Sequence, residues 1–566
     1  MASPLRKARL GELLIAAGEI TSEQLEIALA EQKRSGRKLG SILVHLGMTT
    51  EERMLKALAQ QLNLPLIDLK RYPLDPNVAK KLPENLARRH RALLLAEGPP
   101  PLIALADPTN LFAYDEIALS LRAQPDVALA REEDLLFALD TVYRQTDKIA
   151  RIAKDLGEEL AGTETDLNQL LRAEDLSDAP VVKLLQSLFE EAAVTRASDI
   201  HIEPDEKVLR LRLRIDGALH EQIVEETRIA PAVVSRVKLM SGLDISERRL
   251  PQDGRFAITV RNRRFDVRVS TMPTQYGESV VMRLLENDLS RFDLEKLGMP
   301  SQILNRFRQQ VARPHGIVLV TGPTGSGKTT TLYAALKELN TPQRKIITAE
   351  DPVEYRLDRI NQVQVKPEIG LTFAEILRTA LRQDPDVILV GEIRDSETVE
   401  IALRAAITGH MVLSTLHTND APSAVERLID MGAPSFLLAA AIRAVIAQRL
   451  VRRICPDCIE PDPLDDATRN WLAAQSLPSG AFTPMRGRGC ARCNMTGYRG
   501  RIGVYEYFEP SYAQLDALRR NDLATFNRLV REAPDYHTLL DHGLTLVAQG
   551  VTTVAEVIAM SGELIE

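Results

Sequence analysis

One tryptophan, four cysteines and 4% aromatic side chains in 566 residues already rule out several kinds of protein. So few cysteines cannot staple a disulfide scaffold. So few aromatics offer no ladder of stacking platforms for single-stranded nucleic acid. No uninterrupted apolar run approaches the ~20 residues that span a bilayer. The greasiest late stretch, FLLAAAIRAVIAQRL, is broken by Arg443. The N-terminal MASPLRKARLGELL lacks the continuous apolar core of a signal peptide. Nor is there an excess of positive charge: the net charge of -7 argues against a protein whose main task is coating nucleic acid. What is present, 45% hydrophobic and 26% charged residues, is the composition of an ordinary globular chain. Its length accommodates roughly three to five domains. The expectation is a cytoplasmic protein that reaches any membrane through a partner.

The stretch from Gly322 to Thr329, GPTGSGKT, matches G-x-x-x-x-G-K-[ST] in full. It follows GIVLVT, a β-branched run that reads as a buried strand, and precedes TTLYAALKEL, apolar at helical spacing. That strand–loop–helix setting marks a phosphate loop. Gly322, Gly325 and Gly327 let backbone N–H groups turn inward, with Pro323, Thr324, Ser326 and Thr330 completing the cradle at a helix N-terminus. Lys328 is expected to reach the β and γ phosphates and the Thr329 hydroxyl to hold magnesium.

Two units near the N-terminus repeat without a gap. Residues 9–32 read RLGELLIAAGEITSEQLEIALAEQ, and residues 38–61 read KLGSILVHLGMTTEERMLKALAQQ. Each suggests a helix, a glycine-stopped turn, a Ser or Thr cap and a second helix. The pair resembles the tandem motif of MshEN domains, five-residue spacer included. That resemblance implies binding of cyclic di-GMP by Arg9, Leu10, Gly11, Leu14, Leu25, Leu29 and Gln32. From the second unit it nominates Lys38, Leu39, Gly40, Leu43, Leu58 and Gln61. Gly11 and Gly40 would allow close backbone approach to the ligand. Lys38 departs from the arginine of the first unit and cannot copy a stacked, bidentate guanidinium. Asp107, in LADPTN, resembles a third ligand contact, although Asp-Pro also simply starts a turn. The bland alternative for the repeat is a docking module.

This helical-repeat domain is expected over residues 1–145. An acidic, apolar-poor stretch, 146–180, reads as a flexible linker. Residues 181–290 are expected to form an arginine-rich α/β domain, and residues 291–566 a phosphate-loop domain with a helical C-terminal cap. Three further segments of the last domain complete a set. ITAEDPVEY carries Glu350, Asp351 and Glu354, DVILVGEIRD ends an apolar strand at Glu392, and GHMVLSTLHTND ends one at His417. Carboxylates at strand ends beside a phosphate loop hold magnesium or orient water.

Together with ASDIHIEP, RIDG, DGRF and DVRVSTMP upstream, these segments resemble the secretion and type IV pilus ATPase superfamily over roughly residues 181–507. The resemblance implies a multidomain α/β chain with a PAS-like middle domain and a RecA-like P-loop domain. It also implies a homo-hexamer that hydrolyses ATP. Arg268 and Arg283 would be γ-phosphate contacts, Glu350 would polarise water, and Glu392 would organise Mg²⁺ with Thr329, roles the two glutamates could share or exchange. His417 would contact or sense the γ-phosphate. Arg378 and Arg382 would lie near the same interface or simply pair on a helix surface.

Cys455-Pro-Asp-Cys458 and Cys490-Ala-Arg-Cys493 are two C-x-x-C knuckles about thirty residues apart, and four thiolates with no open position suit a structural zinc within residues 450–500. In the superfamily such an insert resembles assembly and secretion motors. The reading is a cyclic di-GMP-regulated motor for a type IV pilus of the MSHA kind, peripheral to the inner membrane through a platform protein and without direct nucleic-acid contact. A type II secretion ATPase with a docking-only N-terminal domain is the runner-up. A nucleic-acid translocating ring and a non-enzymatic nucleotide switch are the alternatives of other classes.

Overall fold

The computed structural model describes residues 10–35, 39–69, 72, 74–143, 149, 152, 153, 155, 156, 180–286, 288, 290, 292–475 and 482–565. Arg9, Lys38 and positions 157–179 of the expected linker lie outside them.

The repeat folds as read: α1 (Leu10–Ala16), α2 (Ser22–Ser35), α3 (Leu39–His45) and α4 (Glu51–Leu62). Gly18 and Gly47 take left-handed φ of 70° and 68° after α1 and α3, a conformation costly for any residue with a Cβ. Thr21 and Gln24 exchange side-chain and backbone hydrogen bonds at the start of α2, and the Thr50 hydroxyl accepts from Arg53 N at the start of α4. The hairpins trade partners: α1 packs on α4 and α2 on α3, around Leu14, Ala28 and Leu43. A second layer follows, with β1 (Ala92–Ala96), β2 (Leu102–Leu105) and β3 (Asp126–Leu129) in one sheet beside the helices Glu84–His90 and Glu132–Val142. Leu129 reaches Leu55 and Ala59 of α4 and joins the two layers.

The expected linker is not wholly a tether. Ile149, Ala153 and Leu156, which lie 7, 11 and 14 residues past the end of the helix Glu132–Val142, are buried in the core of the next domain. Apolar residues at i, i+4 and i+7 put one stripe of a short segment into that core, a pattern the acidic composition around it hid.

The middle domain is an antiparallel sheet in the order β6-β5-β4-β9-β8-β7. Its strands are β4 (Asp199–Pro204), β5 (Leu209–Ile215), β6 (Ala218–Val224), β7 (Gln252–Val260), β8 (Arg263–Thr274) and β9 (Gly277–Glu286). Leu209, Leu211 and Leu213 alternate with Arg210, Arg212 and Arg214, so one face packs on the helices Pro180–Thr195 and Ala230–Met240. The other face carries a transverse row: Arg255, Arg268, Arg283, Asp199 and Arg214 lie opposite one another on five neighbouring strands.

The domain that carries the phosphate loop holds a seven-stranded sheet ordered β12-β11-β13-β14-β10-β15-β18. Its members are β10 (Gly316–Thr321), β11 (Ile346–Glu350), β12 (Ile360–Gln364), β13 (Val387–Val390), β14 (Met411–Leu416), β15 (Ile442–Ile454) and β18 (Tyr498–Phe508). All pairings are parallel except β15 with β18. Continuous burial of β10, β13 and β14 is what helices on both faces impose on a parallel sheet. Between β15 and β18 the chain makes the four-cysteine element with its small hairpin, β16 (Ile459–Pro461) and β17 (Met485–Gly487). The C-terminal helices share the sheet's core through Phe526, Val530, Leu539 and Val557.

Candidate functional site

The phosphate loop is shaped by what lies beneath it. Gly322, Gly325 and Gly327 have φ of 147°, 83° and 89°. A Cβ on Gly322 would sit 2.4 Å from the Gln448 carbonyl oxygen, and one on Gly327 2.7 Å from Gln448 Nε2, so both positions require glycine. Gln448, 2% exposed on β15, donates Nε2–H to the Ser326 carbonyl at 2.8 Å and accepts from Thr331 Oγ1 at 2.7 Å. Its neighbour Arg449 is also buried and donates from Nη2 to the Asn419 carbonyl and Oδ1, two residues past His417. Neither residue was singled out from sequence; a Gln-Arg pair inside the apolar run AVIAQRLV was the available signal, because a polar pair in a core strand must have partners.

Lys328 folds over the loop and donates to the carbonyls of Gly322 at 2.7 Å and Pro323 at 3.0 Å. Burial pushes its pKa down to about 8; nearby Glu392 opposes the fall and the Arg449 cation adds to it. Glu392 pairs with Arg394, and His417 Nε2 lies 3.6 Å from its other oxygen. Burial, and next the Lys328 charge, lower the His417 pKa, which favours the neutral ring. Arg394 Nη1 is 3.8 Å from Asp351. Thr329 is exposed at the helix start, Thr330 is half-buried, and Pro323 and Thr324 form the exposed rim. Ser326 Oγ is buried without a hydrogen-bond partner beneath that rim, an orphaned donor in a loop suited to phosphate oxygens.

Glu350 is placed differently from Glu392. It is 4% exposed and accepts from Thr348 Oγ1 at 2.6 Å, from Gln362 Nε2 at 3.1 Å and from the Tyr333 hydroxyl. Its carboxylate is turned into the fold, whereas Glu392 faces Lys328 and His417. Arg268 bridges domains: Nη1 meets Glu354 at 2.8 Å and Nη2 donates to the Val353 carbonyl at 2.8 Å. Arg283, beside it in the row, pairs with Asp199 at 3.0 Å and leaves 59% of its side chain exposed. Arg378 pairs with Glu375 and Glu397 on the helix surface, and His410 turns to the Ala405 carbonyl.

The four cysteine sulfurs lie within 4.8 Å of one another. Cys455–Cys490 and Cys458–Cys493 are each 3.8 Å apart and Cys490–Cys493 is 3.7 Å. Those separations are the edges of a tetrahedron with metal–sulfur bonds of ~2.3 Å, and far exceed the ~2.05 Å of a disulfide. Hydrogen bonds from the neighbouring thiols, and then from the N–H groups of Cys490 and Gly497, hold Cys493 well below the usual thiol range. The donor set fits zinc with no open coordination position.

In the N-terminal repeat, Leu14 and Leu43 are fully buried. Leu10, Leu25, Gln32, Leu39, Leu58 and Gln61 are half-buried, and Leu29 is 39% exposed. The glycines also meet neighbouring side chains within the repeat. A Cβ on Gly11 would stand 2.6 Å from Leu25 Cδ1, and one on Gly40 2.9 Å from Met54 Sδ. A side chain at either position would push these neighbours apart. Asp107 Oδ1 accepts from the Thr109 hydroxyl at 2.6 Å, the turn-forming role that Asp-Pro allows.

Among known families, the one described as type II/IV secretion system protein matches residues 174–559, and the MshEN domain matches residues 62–149, the sheet-bearing layer that follows the repeat. The chain is 42% identical over 561 residues to the type IV pilus assembly ATPase PilB of Myxococcus xanthus, covering 97% of this chain and 98% of that protein. It is 46% identical over 434 residues to the type II secretion system ATPase E of Vibrio cholerae, covering 75% and 85%. Among solved structures, the ATPase DotB of Yersinia pseudotuberculosis superposes with a TM-score of 0.51 at 22% identity, over 67% of this chain and 93% of that one, a likeness of fold. Among the described residues no helix is long and apolar enough to cross a membrane.

Proposed function

The chain belongs to the type II/IV secretion ATPase family, and on that premise we propose that it is the hexameric motor of a type IV pilus or pseudopilus, working on the cytoplasmic side of the inner membrane against a platform protein and switched by cyclic di-GMP. That it is a P-loop ATPase follows from the family. The observation that carries the mechanism is the convergence of Lys328, Glu392 and His417 at the mouth of the phosphate loop. Thr329 and Glu392 would hold magnesium, which supplies positive charge at the phosphate oxygens. Lys328 leaves its loop carbonyls for the β and γ phosphates, and the inward N–H groups bind the rest. Glu392, open to the loop side, orients water for in-line attack with His417 beside it, while Glu350 fixes Tyr333 and the end of β11. Arg268 and Arg283 bring the middle domain's charge toward the terminal phosphate. Domain closure would thereby follow ATP occupancy.

For cyclic di-GMP, the support is the two-fold exchange of helices in the repeat together with the MshEN match that continues from it. Half-buried Leu10, Leu25, Leu39 and Leu58 and the polar ends Gln32 and Gln61 are the available contacts. Calorimetric titration of cyclic di-GMP into the full chain tests this part. Saturable heat that is lost in Arg9→Ala supports it, and no heat at high ligand returns the repeat to a docking module. The motor reading is tested by Glu392→Gln, which should bind ATP yet turn over 10²–10⁴-fold more slowly. Unchanged turnover would remove Glu392 from the chemistry.

A further inference from the structure

We propose that the zinc element is the docking post that holds the N-terminal domain against the motor, and that Arg492, set between two of its cysteines, is the latch. Each knuckle displays one charged residue between its ligands: Asp457 between Cys455 and Cys458, and Arg492 between Cys490 and Cys493. Arg492 reaches across to the N-terminal domain. Its Nη2 pairs with Asp134 on the helix Glu132–Val142 of the N-terminal domain and lies 3.9 Å from Glu133. Its guanidinium stands 5.3 Å from the centre of the Phe137 ring, one turn further along the same helix. The other side of the guanidinium faces Asp457 at 3.8 Å, which Arg499 also approaches at 3.4 Å.

The pairing is sheltered: the side chains of Arg492, Asp134 and Asp457 are 14%, 7% and 11% exposed. Coulombic attraction is weakly screened in such a place, and losing one partner strands the other. The backbone that aims Arg492 is fixed by cysteines on both sides, so the metal sets the latch's geometry. The middle domain is tied to the same element, because Asp216 on the β5–β6 turn accepts from Gly500 N at 2.7 Å.

Two observations suit a contact that opens and re-forms. The junction is incompletely filled: a cavity of about 140 Å³ lies beside the latch, bordered by Tyr143, Arg196, Asp216 and Tyr498. Second, Ile149, Ala153 and Leu156 anchor the following segment in the middle-domain core, so the N-terminal domain stays close after release and re-docks readily.

Small-angle scattering on the full, nucleotide-free chain tests the latch. Scattering is collected in line with gel filtration on the single-copy peak, for which a compact fold of this length has a radius of gyration of about 25 Å. Arg492→Glu and Asp134→Arg should each raise the measured value by roughly a tenth, with zinc content and binding of a fluorescent ATP analogue unchanged. The double variant, with the charges exchanged, should return toward the wild-type value. Stripping zinc from the wild type should reproduce the expansion. Single variants that retain zinc and scatter like the wild type overturn the proposal. Should Arg492→Glu lose zinc, Asp134→Asn, remote from the cysteines, decides: expansion supports the latch and an unchanged curve refutes it. Nucleotide binding fails only if the motor reading is wrong, so the two failures are distinct.

Discussion

Replacing Gln448 by leucine should disable the phosphate loop without touching nucleotide. The amide joins Ser326 to Thr331 from below, with both hydrogen bonds in a dry site: Gln448 and Thr331 are 2% and 0% exposed. Leucine keeps the volume and removes both bonds, stranding the Ser326 carbonyl and the Thr331 hydroxyl. Each stranded buried group costs about 1–3 kcal/mol, so the sum is about 2–6 kcal/mol. Part of it is relieved if the loop relaxes, and relaxation moves the N–H groups that cradle phosphate. A catalytic loss of about 1.4–2.8 kcal/mol corresponds to a 10- to 100-fold fall in kcat/KM. Thr331→Val strands the Gln448 oxygen instead. The double variant, which removes donor and acceptor together, should be milder than the two single effects added. The assay is steady-state ATP hydrolysis beside thermal unfolding with and without magnesium and ATPγS, since bound ligand raises the midpoint. Wild-type kcat/KM and an unshifted midpoint in Gln448→Leu would refute the reasoning, as would strictly additive effects in the double variant.

The Lys328 pKa of about 8 implies a pH dependence with a definite sign. Below it the ammonium is charged and ready for phosphate; as pH rises through it the free enzyme loses the proton, so KM for ATP should climb above pH 8 and binding there should take up protons, measurable by calorimetry in buffers of different ionisation heat. Glu350→Gln should differ in kind from Glu392→Gln: it perturbs the network of Tyr333, Thr348 and Gln362, so a lowered melting midpoint is expected, whereas Glu392→Gln should melt normally and stall turnover. Gly11→Ala drives a methyl group to 2.6 Å from Leu25 and should destabilise the repeat by about 1–3 kcal/mol, read by its first thermal transition. Cys458→Ser should abolish bound zinc in a metal assay and lower the midpoint of the ATPase domain; retention of a full equivalent would contradict a four-thiolate site.

What could be read in advance divides along a physical line. The phosphate loop, the helix stops at Gly18 and Gly47 and the paired cysteine knuckles are local: backbone conformation or ligand spacing is written in consecutive residues. The distinction between Glu350 and Glu392 was not local. Both end apolar strands, and only the packing of Tyr333 and Gln362 turns one inward. Gly11 and Gly40 likewise announce a close approach without saying to what, and the approach is to Leu25 and Met54. Arg268 was singled out by motif, but its meeting with Glu354 depends on how two domains sit together. Burial of Ile149, Ala153 and Leu156 is not legible in the chain, because three apolar residues among charged neighbours have no weight until a partner surface exists.

The long strand β15 has a mechanical consequence. Gln448 stands under the phosphate loop, and Cys455, seven residues on, opens the zinc element immediately after the strand's end at Ile454. At ~3.3 Å per residue, these points are about 23 Å apart along one strand. β18, hydrogen-bonded to β15 over most of its length, stiffens it against bending. A tilt of a few degrees at the phosphate end therefore becomes a displacement of an ångström or more at the far end. With nucleotide on the loop, the strand would act as a lever, and its load would be whatever rests on the four-cysteine element.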